Sequence, residues 1–359
     1  MQTFNVILML FAAVSAQQPN YEGYQVLSAI PENDSHLKLL KDLNVKDGLD
    51  FLKISTRFET PAEFLVPRDQ IENVFERLSI NGLKYNIISS NVAEDLKKSF
   101  QLRNDEPRVF GLDKYNTFED ILSGLDDLLL KCPSSASCVL EDIGLTPENK
   151  PIRLFKIVKP SQRKIVWFDS AIHAREWLAP ATNLKLLDAI LSQEDPNAVS
   201  LLNKYDFYFL IIMNPDGYSF SWESPDNRLW RKNRTPNPGS VCRGTDLNRN
   251  FDVNWMNDGT STEPCSDVFG GSSAASETET QNVQNYLRSI GSRVIALTSI
   301  HSTAQMILLP YGHTDSNEEC AIPADHEKQL AAGNAFADAI ENTYDTIWER
   351  GTGCSTICK

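Results

Sequence analysis

Apolar and polar residues alternate from Tyr24 to Ile30 and again from Asp50 to Ser55, whereas Ser35 to Leu43 and Arg68 to Asn81 place apolar residues at helical spacing. Ser35 is a candidate cap for the first helix. A short apolar run, Ala62 to Val66, lies between two prolines, and Lys84 to Ser89 reads as a final strand. These short elements predict a small α+β module over residues 17 to about 105. From Tyr115 the pattern lengthens. A helix is expected over Phe118 to Lys131, then strands over Ile152 to Val158 and Lys164 to Ile172, a helix over Ala181 to Leu191, and a strand over Tyr205 to Met213. A long polar loop, a helix from Glu277 to Ile290 and a strand from Val294 to Ile300 follow. Near-continuous apolar strands separated by helices fit a sheet covered on both faces. The expected fold is α/β, with a mixed, mainly parallel sheet behind the smaller module.

The segment joining the two modules, Asn91 to Arg108, is polar and carries Lys97, Lys98, Arg103 and Arg108. It reads either as an activation linker cut by a trypsin-like protease or as a solvated connecting helix. At the start of the chain an apolar stretch, Val6 to Ala13, is followed by Val14-Ser15-Ala16, small residues where a signal peptidase cuts. Residues 1–16 are therefore expected to be a signal peptide, although a basic leading region is missing. No later stretch approaches the ~20 apolar residues of a membrane span. With 34 basic against 48 acidic residues the net charge is −14, which repels phosphate backbones and anionic membranes. Neither is an expected partner.

Seven cysteines in a chain bound for secretion imply disulfides with one thiol left over. Cys132 and Cys138 are close enough to close a local loop, and Cys242 and Cys265 bracket a Gly/Asn/Ser/Pro-rich stretch. The pairing of Cys320, Cys354 and Cys358 stays open. Two glycosylation triplets occur, Asn33-Asp-Ser and Asn233-Arg-Thr. Asn33 is the credible acceptor, because Asn233 stands close to Arg231 and is followed by Pro236.

The chemistry concentrates after two of the apolar strands. His173-Ala-Arg-Glu176-Trp177 follows one, and His301 follows the other. A lone His-x-x-Glu is weak evidence, and a surface His and Glu near a helix start would explain it equally well. Pro180 within one turn and the bulky Trp177 favour a built site. Two ligands from one turn and a third from elsewhere make up a three-ligand zinc set, one Zn2+ per chain. In parallel sheets ligands gather at the carboxyl ends of strands, where both histidines are expected. Arginines surround the motifs: Arg175 between the ligands, Arg228 and Arg231 in Asn227-Arg-Leu-Trp-Arg-Lys, and Arg249 in Asp246-Leu-Asn-Arg-Asn. Their forked guanidinium groups suit a substrate carboxylate or a developing oxyanion, although loop arginines also commonly stay solvated.

Together with Ile300-His-Ser-Thr-Ala-Gln, these motifs resemble, in order and spacing, those of the zinc metallocarboxypeptidases of the pancreatic A/B type, including the insect digestive members. The resemblance implies a carboxypeptidase-like catalytic domain over 109–359, preceded by an inhibitory activation propeptide over 17–108. It implies a secreted zymogen that hydrolyses the C-terminal bond of peptides and proteins, in a digestive lumen, after cleavage by a trypsin-like protease. His173, Glu176 and His301 match the zinc ligands, Arg231 the oxyanion-stabilising arginine, and Asn248 and Arg249 the pair that holds the substrate carboxylate. Arg175 and Ser302 match secondary substrate contacts, and Cys242 with Cys265 matches the family's disulfide.

Two departures stand beside the resemblance. Thr303 replaces the usual tyrosine, which implies a wider outer subsite. The part of the family bearing the mobile tyrosine, the specificity-pocket residue and the catalytic glutamate would begin just after Lys359, so the general base is expected to be absent and the catalytic domain truncated. No acid after His301, including Glu318, Glu319, Glu341 and Glu349, lies in the motif for the base. Loss of a base costs roughly 10²- to 10⁴-fold in rate. The alternative expectation is accordingly a catalytically impaired peptide-binding protein or an inactive fragment, and side-chain preference stays open.

Overall fold

The computed structural model describes residues 21–104, 109–161, 163–257, 259–302, 304–316 and 318–357. The expected signal peptide, the end of the basic linker, Thr303 and Cys358 lie outside them. The chain forms two compact units, one of residues 107–300 and one of residues 21–106 with 301–359.

The amino-terminal part of the second unit runs β1 (Gln25–Ala29), α1 (Asp34–Val45), β2 (Phe51–Lys53), β3 (Ala62–Val66), α2 (Ile71–Ile80), β4 (Tyr85–Ser89) and α3 (Val92–Asn104). Its sheet has the order β2-β3-β1-β4, with every pair antiparallel. Strand alternation sends Leu27, Ala29, Phe64 and Val66 into one core, where Leu39, Leu40 and Leu43 of α1 and Val74 and Leu78 of α2 meet them. The cap of α1 is Asn33 and not Ser35. Asn33 has extended backbone, and its Oδ1 accepts from His36 N at 3.0 Å and from the Ser35 hydroxyl at 2.6 Å. The capping geometry needs an acceptor three residues before the donor, which Asn33 supplies.

The unit of residues 107–300 runs α4 (Phe118–Leu129), β5 (Ser137–Leu145), β6 (Pro151–Val158), β7 (Ile165–Ser170), α5 (Leu178–Ser192), α6 (Pro196–Leu202), β8 (Asp206–Leu210), α7 (Pro215–Glu223), α8 (Thr278–Ile290) and β9 (Val294–Ile300). α4 opens with a reciprocal capping box between Thr117 and Asp120. The sheet order is β5-β6-β8-β7-β9. β8, β7 and β9 are parallel, whereas β5, β6 and β8 pair antiparallel, so the sheet is mixed in equal halves. The antiparallel β5–β6 pair follows from the tight turn at Thr146–Asn149, which joins the two strands directly.

Period-two alternation puts helices on opposite faces. Ile165 and Trp167 of β7, Ile152 and Leu154 of β6 and Val283 of α8 share one buried cluster. Ser170, of opposite parity to Trp167, instead accepts from Asn183 Nδ2 of α5 at 3.0 Å. β9 is the outer strand on its side, and Ile295 and Leu297 are exposed there.

The rest of the second unit is β10 (Met306–Leu309), α9 (His326–Tyr344), β11 (Glu349–Thr352) and the short α10 (Gly353–Thr356). β10 and β11 pair in parallel, and Cys320 is bonded to Cys354. Cys132 is bonded to Cys138 and Cys242 to Cys265. Among the described residues no helix is long and apolar enough to cross a membrane.

Candidate metal centre and substrate clamp

β7 delivers the chain to the carboxyl edge of the sheet at Ser170. Ala171 then takes a left-handed φ of 51°, and the next turn presents His173 and Glu176, both buried. His301 is the residue after Ile300, the last of β9, and Ile300 lies opposite Ser170 across the parallel pair. Both histidines therefore leave neighbouring strands at the same level. Among the described residues, His173, Glu176 and His301 are the group able to hold a metal ion, with ligand atoms within 4.8 Å of one another.

The donor chemistry fits zinc. His173 Nε2 faces the Asp246 carboxylate at 3.1 Å, which places the ring proton there and turns Nδ1 towards Glu176 Oε1, 2.9 Å away. Two imidazole nitrogens and one carboxylate oxygen, with a fourth position open, form a zinc set of the hydrolytic kind.

Asp246 is the residue the sequence reading left without a role, although it sits two places before Asn248. It is fully buried, and its second oxygen accepts from Arg231 Nε at 3.1 Å and Nη2 at 2.8 Å. Burial opposes its ionisation, but the Arg231 guanidinium and the His173 ring prevail and hold the carboxyl well below its usual range. Arg231 is thus aimed from beside the first ligand, with a fixed charge at its back.

Asp246 also caps the single helical turn Leu247–Arg249, accepting from Asn248 N at 2.9 Å. That turn carries Asn248 and Arg249, and the Asp246 oxygen that caps it is the one His173 faces. Arg249 is braced by Gly259 O at 2.9 Å and Asn248 O at 3.0 Å, and the Cys242–Cys265 disulfide closes the loop behind it. Arg175 Nη1 lies 3.8 Å from Asp267, and Ser302 is exposed.

Behind these residues, Asn233 is fully buried. Its Nδ2 donates to Glu277 Oε2 at 2.7 Å and reaches Glu279 at 3.3 Å. Burial, with Asp216 and Glu277 nearby, pushes the Glu279 carboxyl up to about 7.

The fold and donor set define a zinc hydrolase on an α/β sheet. Comparison with known proteins narrows the class. Residues 121–359 match the zinc carboxypeptidase family and residues 27–99 the carboxypeptidase activation peptide. The chain is 31% identical to mouse mast cell carboxypeptidase A over 366 residues, covering 100% of this chain and 86% of that protein. It is 33% identical to mouse carboxypeptidase A2 over 361 residues, covering 98% and 84%. The crystal structure of carboxypeptidase A from Helicoverpa armigera superposes with a TM-score of 0.77 at 26% identity, covering 92% of this chain and 82% of that one. The chain belongs to the zinc carboxypeptidase family and carries the activation peptide: it is a metallocarboxypeptidase zymogen of the A/B type, with His173, Glu176 and His301 as its zinc site.

Proposed function

We propose that the protein is secreted behind a leader of residues 1–16 and held inactive by residues 17–108. A trypsin-like protease then frees the unit 109–359 to shorten peptides from their C-terminal ends in a digestive lumen. The basic linker supports such an activator, three disulfides support an oxidising compartment, and the resemblance to digestive members of the family supports the lumen. The net charge of −14 supports a reading without nucleic-acid or anionic-membrane partners.

The observation that carries the catalytic reading is the carboxylate of Asp246, which couples a zinc ligand to Arg231. Bound zinc supplies Lewis-acid chemistry at the scissile carbonyl. Arg231, preorganised by its ion pair, donates to the oxygen on which negative charge develops, at little reorganisation cost. Asn248 and Arg249 take the substrate's terminal carboxylate, a geometry that a planar guanidinium matches through two hydrogen bonds. Arg175 and Ser302 contact the substrate further from the cleaved bond. The general base is assigned to none of the chain's residues.

The test is to load the protein with zinc, treat half with trypsin, and follow peptides by mass. Loss of single C-terminal residues from free-acid peptides, only after trypsin and not from C-terminal amides, is the expected result. Equal use of amides would remove the carboxylate clamp. Tight binding of free-acid peptides without shortening would favour the impaired peptide-binding reading.

A further inference from the structure

The segment that presents two of the three zinc ligands, His173 to Trp177, belongs to neither a strand nor a helix. Its shape depends on side contacts. Ala174 N donates to Arg231 O at 3.0 Å, and Glu176 N reaches His173 O at 3.3 Å. Arg175 stands between the ligands, and its carbonyl accepts from Trp177 N at 3.1 Å and from Arg228 Nη1 at 2.7 Å. The same Arg228 lays its guanidinium over the Trp177 ring, 3.7 Å from the centroid. Trp177 stacks on Trp222 at 3.9 Å with 14° between planes, and its Nε1 donates to Ser221 Oγ at 2.9 Å.

One cation therefore grips the ligand segment twice, by a charge-assisted hydrogen bond to the carbonyl between the ligands and by stacking on the aromatic that ends the segment. We propose that Arg228 is a positioning residue for the zinc ligands, setting the separation of the His173 and Glu176 donor atoms and so the affinity for the metal. The sequence groups Arg228 with the cations available to substrate. The structure gives it work on the other side, against the backbone of the ligand turn. A lysine could keep the charge, but a compact ammonium does not present a flat face and a directed N–H together. Partners that orient ligands typically change metal affinity about 10- to 100-fold when lost.

The inference rests on the zinc reading. The experiment uses the full chain with Zn2+ in chelator competition, and with Co2+, whose visible absorption reports ligand geometry. Expected for Arg228→Lys and Arg228→Ala is zinc binding weakened by about 10-fold or more, faster metal release and an altered Co2+ spectrum. The melting temperature of the metal-free protein should move little. Trp177→Leu, which removes the stacking platform, should reproduce the spectral change, and adding Arg228→Lys to it should weaken zinc by less than the two single effects combined. If Arg228→Ala fails to fold, Arg228→Lys alone decides. Unchanged zinc affinity and Co2+ spectrum in Arg228→Lys would overturn the inference, as would weaker peptide binding with intact zinc binding, which would return Arg228 to the substrate side. A parent chain that never retains zinc would instead overturn the zinc reading itself.

Discussion

Asp246 holds His173 through one carboxylate oxygen and Arg231 through the other, at 3.1 and 2.8 Å. Replacing it with asparagine keeps the size but removes the charge both partners face. Zinc affinity of Asp246→Asn should fall about 10- to 100-fold, measured by competition with a chelator of known strength. An affinity equal to the parent's would mean that the contact neither orients nor polarises the ligand.

Arg249 is expected to read the terminal carboxylate and nothing else. A charge-assisted hydrogen bond contributes about 1.5–3 kcal/mol, so Arg249→Ala should weaken free-acid peptides about 10- to 100-fold while leaving the weaker binding of amides unchanged. Isothermal titration with matched acid and amide peptides separates the two. A parallel loss for both forms would show a general disruption of the loop.

Glu279 makes stability depend on pH. Its folded carboxyl titrates at about 7 against an ordinary value of 4.5. Between those values the unfolded chain binds fewer protons than the folded one, so folding is most favourable below about 4.5, weakens as pH rises, and levels off above about 7. The total loss is on the order of 3 kcal/mol. Denaturation midpoints from pH 4 to 8 should show the decline, and Glu279→Gln should flatten it. A variant with the parent's slope would locate the dependence elsewhere, with Asp216 and Glu277 the acids nearest the group.

The Cys242–Cys265 bond closes a loop across 23 positions that contains Asp246, Asn248 and Arg249. Substituting both cysteines with alanine should cost about 2–4 kcal/mol of stability, seen as a lower melting temperature. Free-acid peptide binding should suffer more than zinc binding, because Asn248 and Arg249, the proposed carboxylate clamp, lie inside the loop. Equal losses would place the disulfide's effect on the whole unit.

The inner strands were legible because little of them meets solvent: Ile165 to Phe168 and Phe207 to Leu210 read as apolar runs. β5 was not, since it is an outer strand whose burial is only partial, and Glu141 and Asp142 interrupt its pattern. α7, with Gly217, Ser219 and Ser221 among its aromatics, has no helical periodicity to detect, yet it supplies the floor beneath Trp177. The sheet reads as mixed from the sequence, but the extent of its antiparallel half does not, because the turn at Thr146–Asn149 reverses direction between β5 and β6 without a crossover helix.

His173 and Glu176 were legible because one turn brings them together and their context, the strand before them with Trp177 and Pro180 after them, marks a built site. Asp246 lies 73 positions from His173, and no local pattern joins them. Arg231 and Arg249 could be named as cations but not told apart by partner. Only the fold shows that one is backed by a carboxylate and the other by backbone carbonyls.

The buried amide of Asn233 also has a history in time. Glycan transfer acts on an extended chain, before a fold can protect an asparagine, and the triplet Asn233-Arg-Thr is offered at that stage. Once the amide is spent on a sugar, it no longer fits the closed space beside Glu277. A sugar on Asn233 and the native packing of its amide beside Glu277 therefore exclude one another.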